Sequence, residues 1–279
     1  MNDKKIKMVA LDLDGTTLNQ HGALAARTKE AFKKAVDEGI HIVISTGRTF
    51  HSLPEELFHL EGLEYVVTSN GAQITELSSM EVIYENNISE EAVEAVVKQL
   101  IGREISVETF VEGKAYIDEK EYRGYEKHGS TYRDVAYVLK TRNPIPSILQ
   151  FMLDHKDQIE NISLNFEFDE EKEAMKKVLE DIEGITITSS FVHNFEIGGA
   201  TTSKGEALRF LMNQLNLSPE ELMACGDSHN DAQMLMLAGI GVAVDNATDD
   251  IKNIADYITD HHDQDGVAKA IERFALSSK

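Results

Sequence analysis

Two carboxylates end the first apolar run of the chain, in Met8-Val9-Ala10-Leu11-Asp12-Leu13-Asp14-Gly15-Thr16-Thr17. Five of the six residues from Met8 to Leu13 are apolar, the pattern of a strand buried on both faces. Residues i and i+2 of a strand share a face, so Asp12 and Asp14 project side by side where the run ends, and Gly15 lets the chain turn sharply. Such carboxylates repel, and burying them unpaired is costly. A bound cation, or phosphate chemistry that uses both, accounts for the pair; a strand-end turn decorated by acids is the bland alternative. Three further polar clusters follow apolar runs: Ser45-Thr46-Gly47-Arg48, Ser69-Asn70-Gly71 and Gly226-Asp227-Ser228-His229-Asn230-Asp231. Open parallel sheets bind ligands beyond the carboxyl ends of their strands. Four such ends carrying acids, hydroxyls and glycines form an ordered set that chance does not readily supply.

The elements that must position these clusters are legible in part. A strand over 6–12, a helix over about 25–38 with Ala31, Phe32, Ala35 and Val36 on its apolar face, a strand over 40–44, a short helix over about 49–60 and a strand over 65–68 make a β-α-β-α-β series. That series marks a doubly wound parallel sheet. From about residue 84 the pattern changes: a helix over 89–101, then alternation through Ile105, Val107, Thr109 and Val111 and through Ile162, Leu164, Phe166 and Phe168. Alternation predicts an antiparallel sheet with one face buried and one wet. A helix follows over about 170–182, while 119–147 yields no assignment. The α/β pattern returns near 195, with a helix over 203–216, strands over 222–225 and 240–244, and two more helices. The expected fold is α/β: a core from 1–84 and 195–279, with a domain inserted over 85–194 that contains an antiparallel sheet.

Composition narrows the class. A chain of 279 residues, 42% hydrophobic, suffices for one large domain or two ordinary ones. Its single cysteine, Cys225, excludes an internal disulfide framework and fits a reducing cytoplasm. The first apolar run meets Asp12 too early for a signal peptide, and no run approaches the roughly 18 residues of a membrane span. A formal net charge of −22 argues against nucleic acid as a partner but not against a small phosphate in a local positive pocket. Nothing in the sequence separates a monomer from a homodimer.

With these residues in view, the sequence resembles the haloacid dehalogenase superfamily, in its Cof-type sugar-phosphatase-like branch. The matching motifs are Asp-Leu-Asp-Gly-Thr at 12–16, Ser-Thr-Gly-Arg at 45–48, Ser-Asn-Gly-Ala at 69–72, Ser-Lys-Gly-Glu-Ala-Leu at 203–208 and Gly-Asp-Ser-His-Asn-Asp at 226–231. The resemblance covers nearly the whole chain and implies a Rossmann-like core with an inserted cap. It also implies a Mg²⁺-dependent phosphatase acting on a small phosphorylated metabolite. Asp12 would attack phosphorus to give an aspartyl-phosphate, and Asp14 would serve as general acid and then general base. Asp12, Asp227 and the Asp14 backbone carbonyl would hold the metal. Lys204, Thr46, Asn230 and the amides of Leu13 and Gly47 would bind the phosphate, and Asp231 would orient Lys204 or a metal-bound water.

Several residues carry two readings. Ser45 competes with Thr46 as the hydroxyl donor. Arg48 either contacts substrate or pairs with surface acids, and Asn70 either caps its loop or touches substrate. His229 reads as an exposed bystander, His193 and Asn194 as hinge packing, and Cys225 as a buried small residue. Asp256, Asp260, His261, His262 and Asp263 resemble a metal cluster, but following the last strand they read as a solvated loop. The stretch Gly198-Gly199-Ala200-Thr201-Thr202 departs from the Gly-Val pair that relatives carry before Ser203. A phosphomutase would share the aspartyl-phosphate; a phospho-accepting signalling domain would share Asp and Mg²⁺, but Asp14 would hasten loss of its phosphate.

Overall fold

The computed structural model describes residues 5–276, which form two compact units. The first runs to Gly47, continues over Pro54–Glu85 and resumes at Ser203; the second comprises Arg48–Leu53 and Asn86–Thr202.

In the first unit, β1 (Met8–Leu11) is wholly buried and runs parallel to β2 (His41–Ser45), with Ala10 opposite Val43. Between them α1 (Ala26–Asp37) buries Thr28, Ala31, Phe32 and Ala35, one stripe at helical spacing. The helix expected over 49–60 is replaced by two short 3₁₀ turns, Phe50–Ser52, which belongs to the second unit, and Glu55–His59. Pro54 stands between them and supplies no N–H to a continuous helix. Next to β3 (Leu63–Thr68), β4 (Gln73–Glu76) and β5 (Glu81–Glu85) add an antiparallel edge that periodicity did not disclose.

The second unit contains α2 (Glu90–Leu100), β6 (Ser106–Val111), β7 (Lys114–Asp118), α3 (Glu119–His128), α4 (Val135–Thr141), β8 (Arg142–Ile145), α5 (Ile148–Asp154), β9 (Ile159–Asn165), α6 (Asp169–Leu179), β10 (Ile185–Thr188) and β11 (Asn194–Gly199). Its sheet has the order β10-β11-β9-β6-β7-β8, antiparallel except between β7 and β8. Val107, Ile162, Leu164, Phe195 and Ile197 pack with residues of α2, α5 and α6 in one core. The other face is not wet. Glu108 is fully buried there, held by Arg133 and Arg142, the latter at 2.8 Å. The unassigned stretch 119–147 supplies both arginines. Alternation of polar with apolar residues was therefore right about pleat and wrong about water, because arginines brought from the connecting segment satisfy the buried acid. The return to the first unit follows Thr202, not residue 194, since β11 pairs with β9 and β10. Asn194 is no hinge residue: its Oδ1 accepts the amides of Ser190 and Phe191, each at 3.2 Å, and closes a turn inside this unit.

Back in the first unit come α7 (Lys204–Gln214), β12 (Leu222–Gly226), α8 (Ala232–Leu237), β13 (Ile240–Ala243), α9 (Asp249–Ile254), β14 (Tyr257–Ile258) and α10 (Gly266–Phe274). The eight-stranded order is β14-β13-β12-β1-β2-β3-β4-β5, parallel through β3. Chain order reverses at β1, with β2 on one side and β12 on the other. The carboxyl ends of β1, β2 and β12 therefore adjoin at a topological switch point, where open sheets bind ligands.

Candidate active site

The backbone N–H of Asp12 donates to Cys225 O at 3.1 Å, fixing the end of β1 against β12. The chain then makes a tight turn over Leu13–Thr17, in which Gly15 takes φ +77°. A Cβ on Gly15 would lie 2.7 Å from Asp227 Oδ2, so this position needs glycine for both its conformation and its clearance. The Leu13 side chain is buried, whereas Asp14 is exposed at the turn.

Lys204 opens α7 after Ser203, whose Oγ accepts the Glu206 amide at 3.1 Å as an N-cap. Its ammonium group is fully buried and donates to Asp12 Oδ1 and Asp231 Oδ1, both at 2.7 Å. Asp231 is also saturated on its other oxygen, where Oδ2 accepts the amides of Asp227 and Ser228 at 2.9 and 3.0 Å. Asp227 receives Thr16 Oγ1 on Oδ1 and Ser228 Oγ on Oδ2, each at 3.0 Å.

The electrostatics are unbalanced. Burial pushes the Asp12 carboxyl well above the usual range; Lys204 opposes this, while Asp231 and Asp227 add to it. Asp227 is pushed up to about 6, first by burial and then by Asp231. Burial disfavours the Lys204 cation, but Asp12 and Asp231 outweigh that and hold its pKa above the ordinary value. Three carboxylates thus face one ammonium, and Asp12, Asp227 and Asp231 offer ligand oxygens within 4.8 Å of one another. An all-oxygen set with excess negative charge fits a hard divalent cation. Asp231 is the most heavily engaged, with three donors on its two oxygens, whereas Asp227 accepts one hydroxyl on each oxygen and Asp12 accepts Lys204 on Oδ1, so Asp12 and Asp227 keep more capacity for a cation.

The remaining expected residues divide. Thr46 is buried; its N–H donates to Val67 O at 2.9 Å and its carbonyl accepts the Asn70 amide at 3.1 Å. Ser45 Oγ is buried with no hydrogen-bond partner. Asn70 adopts a left-handed conformation, φ +58°, and its Oδ1 lies 3.0 Å from where a Cβ on Gly47 would stand. Asn230 Nδ2 donates to that same Oδ1 at 3.0 Å, while Asn230 Oδ1 is buried without a partner. Arg48 groups with the second unit, donating to Ser52 O at 3.1 Å and lying 5.0 Å from the Tyr137 ring centroid. His229 is exposed and faces Asp250 at 3.6 Å. Cys225 is fully buried, and burial raises its thiol pKa, which disfavours a thiolate nucleophile.

Three residues were missed. Thr16 and Ser228 lie inside quoted motifs, yet their hydroxyls hold Asp227. Asn246 donates to Gly15 O at 2.7 Å and accepts the His262 amide at 3.0 Å, tying the Asp14-Gly15 turn to a distant loop. Its signal was available: it follows the carboxyl end of β13, as the other clusters follow theirs.

Comparison with known proteins finds relatives over nearly the whole chain. The chain is 34% identical to Phosphatase YwpJ of Bacillus subtilis over 94% of its own length and 98% of that protein. It is 31% identical to the 5-amino-6-(5-phospho-D-ribitylamino)uracil phosphatase YcsE of the same organism, covering 98% of each. Among solved structures, a haloacid dehalogenase-like hydrolase from B. subtilis superposes with a TM-score of 0.83 at 31% identity, over 96% of this chain and 99% of that one. The subclass IIB sugar phosphatase BT4131 gives 0.83 at 25% identity, over 97% and 100%. The model of the haloacid dehalogenase-like hydrolases matches residues 9–271, and the chain belongs to that family.

Proposed function

We propose that this protein is a Mg²⁺-dependent phosphatase that hydrolyses a small phosphorylated metabolite, a sugar phosphate or vitamin-precursor phosphate, through an aspartyl-phosphate on Asp12. The observation that carries the reading is the buried bridge Asp12–Lys204–Asp231 beside Asp227, at the adjoining ends of β1 and β12. Lys204 restrains Asp12 Oδ1, which orients Oδ2 as the attacking oxygen. Attack breaks the P–O bond to the leaving alkoxide and forms the acyl phosphate on Asp12. Asp14, exposed on the turn, delivers a proton to that alkoxide and then takes one from the water that cleaves the acyl phosphate. Lys204, the Thr46 hydroxyl and the amides of Leu13 and Gly47 supply positive charge and donors to the phosphoryl oxygens. Asn230 joins them if its amide turns in concert with that of Asn70, since Nδ2 is otherwise given to Asn70. Asp231 positions Lys204. Asp12, Asp227 and the Asp14 carbonyl would hold Mg²⁺, which supplies neutralisation of charge on the transferring group.

The test is phosphate release from a panel of phosphorylated metabolites with Mg²⁺, comparing wild type with Asp12→Asn. Release by wild type that falls at least about 10³-fold in the variant is expected. Undiminished release by Asp12→Asn would overturn the assignment of the nucleophile. A stable phosphoryl-enzyme with no release would favour transfer to another acceptor over hydrolysis.

A further inference from the structure

One ligand-bearing cluster of the first unit takes no part in this chemistry. His261, His262 and Asp263 lie in the loop between β14 and α10, and each offers one ligand atom within 4.8 Å of the other two. Asp263 Oδ2 is 4.0 Å from His261 Nδ1 and 3.9 Å from His262 Nε2. The two imidazole centroids are 4.6 Å apart.

The remaining polar atoms of the three residues fix which lone pairs converge. His262 Nδ1 lies 2.7 Å from Leu18 O. A carbonyl only accepts, so Nδ1 carries the proton and the neutral ring presents a lone pair on Nε2. The Asp263 amide donates to His261 Nδ1 at 3.2 Å, so that nitrogen is also an acceptor and its ring proton sits on Nε2. Asp263 Oδ1 accepts the Gln20 amide at 2.7 Å, leaving Oδ2 turned to the imidazoles. Two acceptor atoms, His262 Nε2 and Asp263 Oδ2, stand 3.9 Å apart, and His261 Nδ1, whose one lone pair takes the Asp263 amide, lies within 4.8 Å of both; a cation stabilises such a set once that hydrogen bond is released. Basic side chains beside the loop are engaged elsewhere: Lys269 with Asp260, and Arg27 with Asp265 and Glu272. The His262 side chain is 15% exposed and that of Asp263 26%, sheltered yet open to entry from solvent.

We infer that His261, His262 and Asp263 form a second metal site, separate from the active site, that binds a borderline transition metal such as Zn²⁺, Co²⁺ or Ni²⁺. Two imidazoles and one carboxylate suit these ions, whereas Mg²⁺ prefers oxygen ligands. Tetrahedral zinc, with bonds of about 2.0–2.1 Å, sets its ligands roughly 3.3–3.4 Å apart. Asp263 Oδ2 stands 3.9 and 4.0 Å from the two imidazole nitrogens and all three atoms lie within 4.8 Å of one another, so side-chain rotations must draw them together around the ion. The 3.2 Å hydrogen bond to His261 is the one contact given up, and water completes the coordination. The His262 Nδ1–H bond to a carbonyl is the orienting bond that metal-bound histidines ordinarily make. The site joins the loop after β14 to Leu18 and Gln20, which follow the Asp14-Gly15 turn, and so braces that turn from outside.

The experiment is Co²⁺ titration of metal-free protein, read by the visible absorption of low-symmetry cobalt and by the melting temperature. Wild type, Asp227→Asn, His262→Gln and Asp263→Asn are compared after circular dichroism has verified folding. Wild type and Asp227→Asn are expected to develop a saturable band and to melt higher with cobalt. His262→Gln and Asp263→Asn are expected to lose the band, and each, combined with Asp227→Asn, is expected to lose the melting rise as well; excess Mg²⁺ is expected to leave the wild-type band in place. Absence of a saturable band in wild type overturns the proposal. So does a band that survives both loop substitutions or disappears in Asp227→Asn. If one loop variant fails to fold, the other decides.

Discussion

Lys204 joins Asp12 to Asp231, and the charge it leaves uncompensated falls on Asp227. Because the folded pKa of Asp227 is pushed up to about 6, its contribution to stability is complete below about pH 4 and is lost as the pH rises through 6. That difference from the ordinary value corresponds to about 1–3 kcal/mol in the metal-free protein. Asp227→Asn should therefore raise the melting temperature in EDTA at pH 7.5 and flatten its change between pH 5 and 7.5. On the proposed function, Mg²⁺ should raise the melting temperature of wild type, and the same variant should abolish that rise. Thermal denaturation with and without Mg²⁺ measures both effects, and a variant that melts lower in EDTA would count against the electrostatic account. At this scale the sequence was highly legible where residue type and chemistry coincide: Asp12, Lys204, Asp227 and Asp231 could be named before any coordinates. Thr16, Ser228 and Asn246 escaped because an ordinary hydroxyl or amide acquires its role only from the partner that folding brings to it.

At the scale of elements, α7 starts against the loop after β3. Gly71 takes φ +96°, and a Cβ there would lie 2.1 Å from Ser203 O. Gly71→Ala should displace the residue that caps α7 and, with it, Lys204, at a cost of more than about 2 kcal/mol. Gly39→Ala is the control, since Gly39 has φ +76° but nothing within 4 Å of its added methyl; about 1 kcal/mol is expected. Melting curves and kcat/KM for the pair separate backbone strain from displacement of the site. In the second unit, burial raises the Glu108 carboxyl pKa, but Arg142 and Arg133 more than offset this and hold it below the ordinary value. Its stabilisation is therefore present above the ordinary carboxylate range and is lost as the pH falls through the depressed value. Glu108→Gln leaves two buried guanidinium groups short of a charge partner and should cost about 3–5 kcal/mol in urea denaturation. The strands and helices with a single strong period were readable. The stretch 119–147 was not, because α3 is highly polar, α4 is only seven residues long, and the arginines flanking α4, Arg133 and Arg142, serve a buried acid rather than solvent.

For the whole molecule, a formal net charge of −22 opposes the approach of an anionic phosphate ester, whatever the local field of Lys204. Raising NaCl from about 10 to 150 mM shortens the screening length from about 30 to 8 Å. It should increase kcat/KM for a dianionic substrate by a few-fold at constant Mg²⁺; a decrease would show that local positive charge governs encounter. Among the described residues no helix is long and apolar enough to cross a membrane. The division into two units was legible as a change from parallel to alternating pattern, but its bounds were not, because Phe195 and Ile197 are as apolar as a core strand. The placement of Arg48–Leu53 has a practical meaning for anyone exchanging the second unit between relatives. Within the second unit the His51 amide donates to Gly113 O at 2.9 Å, and Arg48 lies on the Tyr137 ring. A transplanted module is therefore two pieces of sequence: a chimaera that moves residues 86–202 alone carries a mismatched hexapeptide, attached directly to Thr46-Gly47.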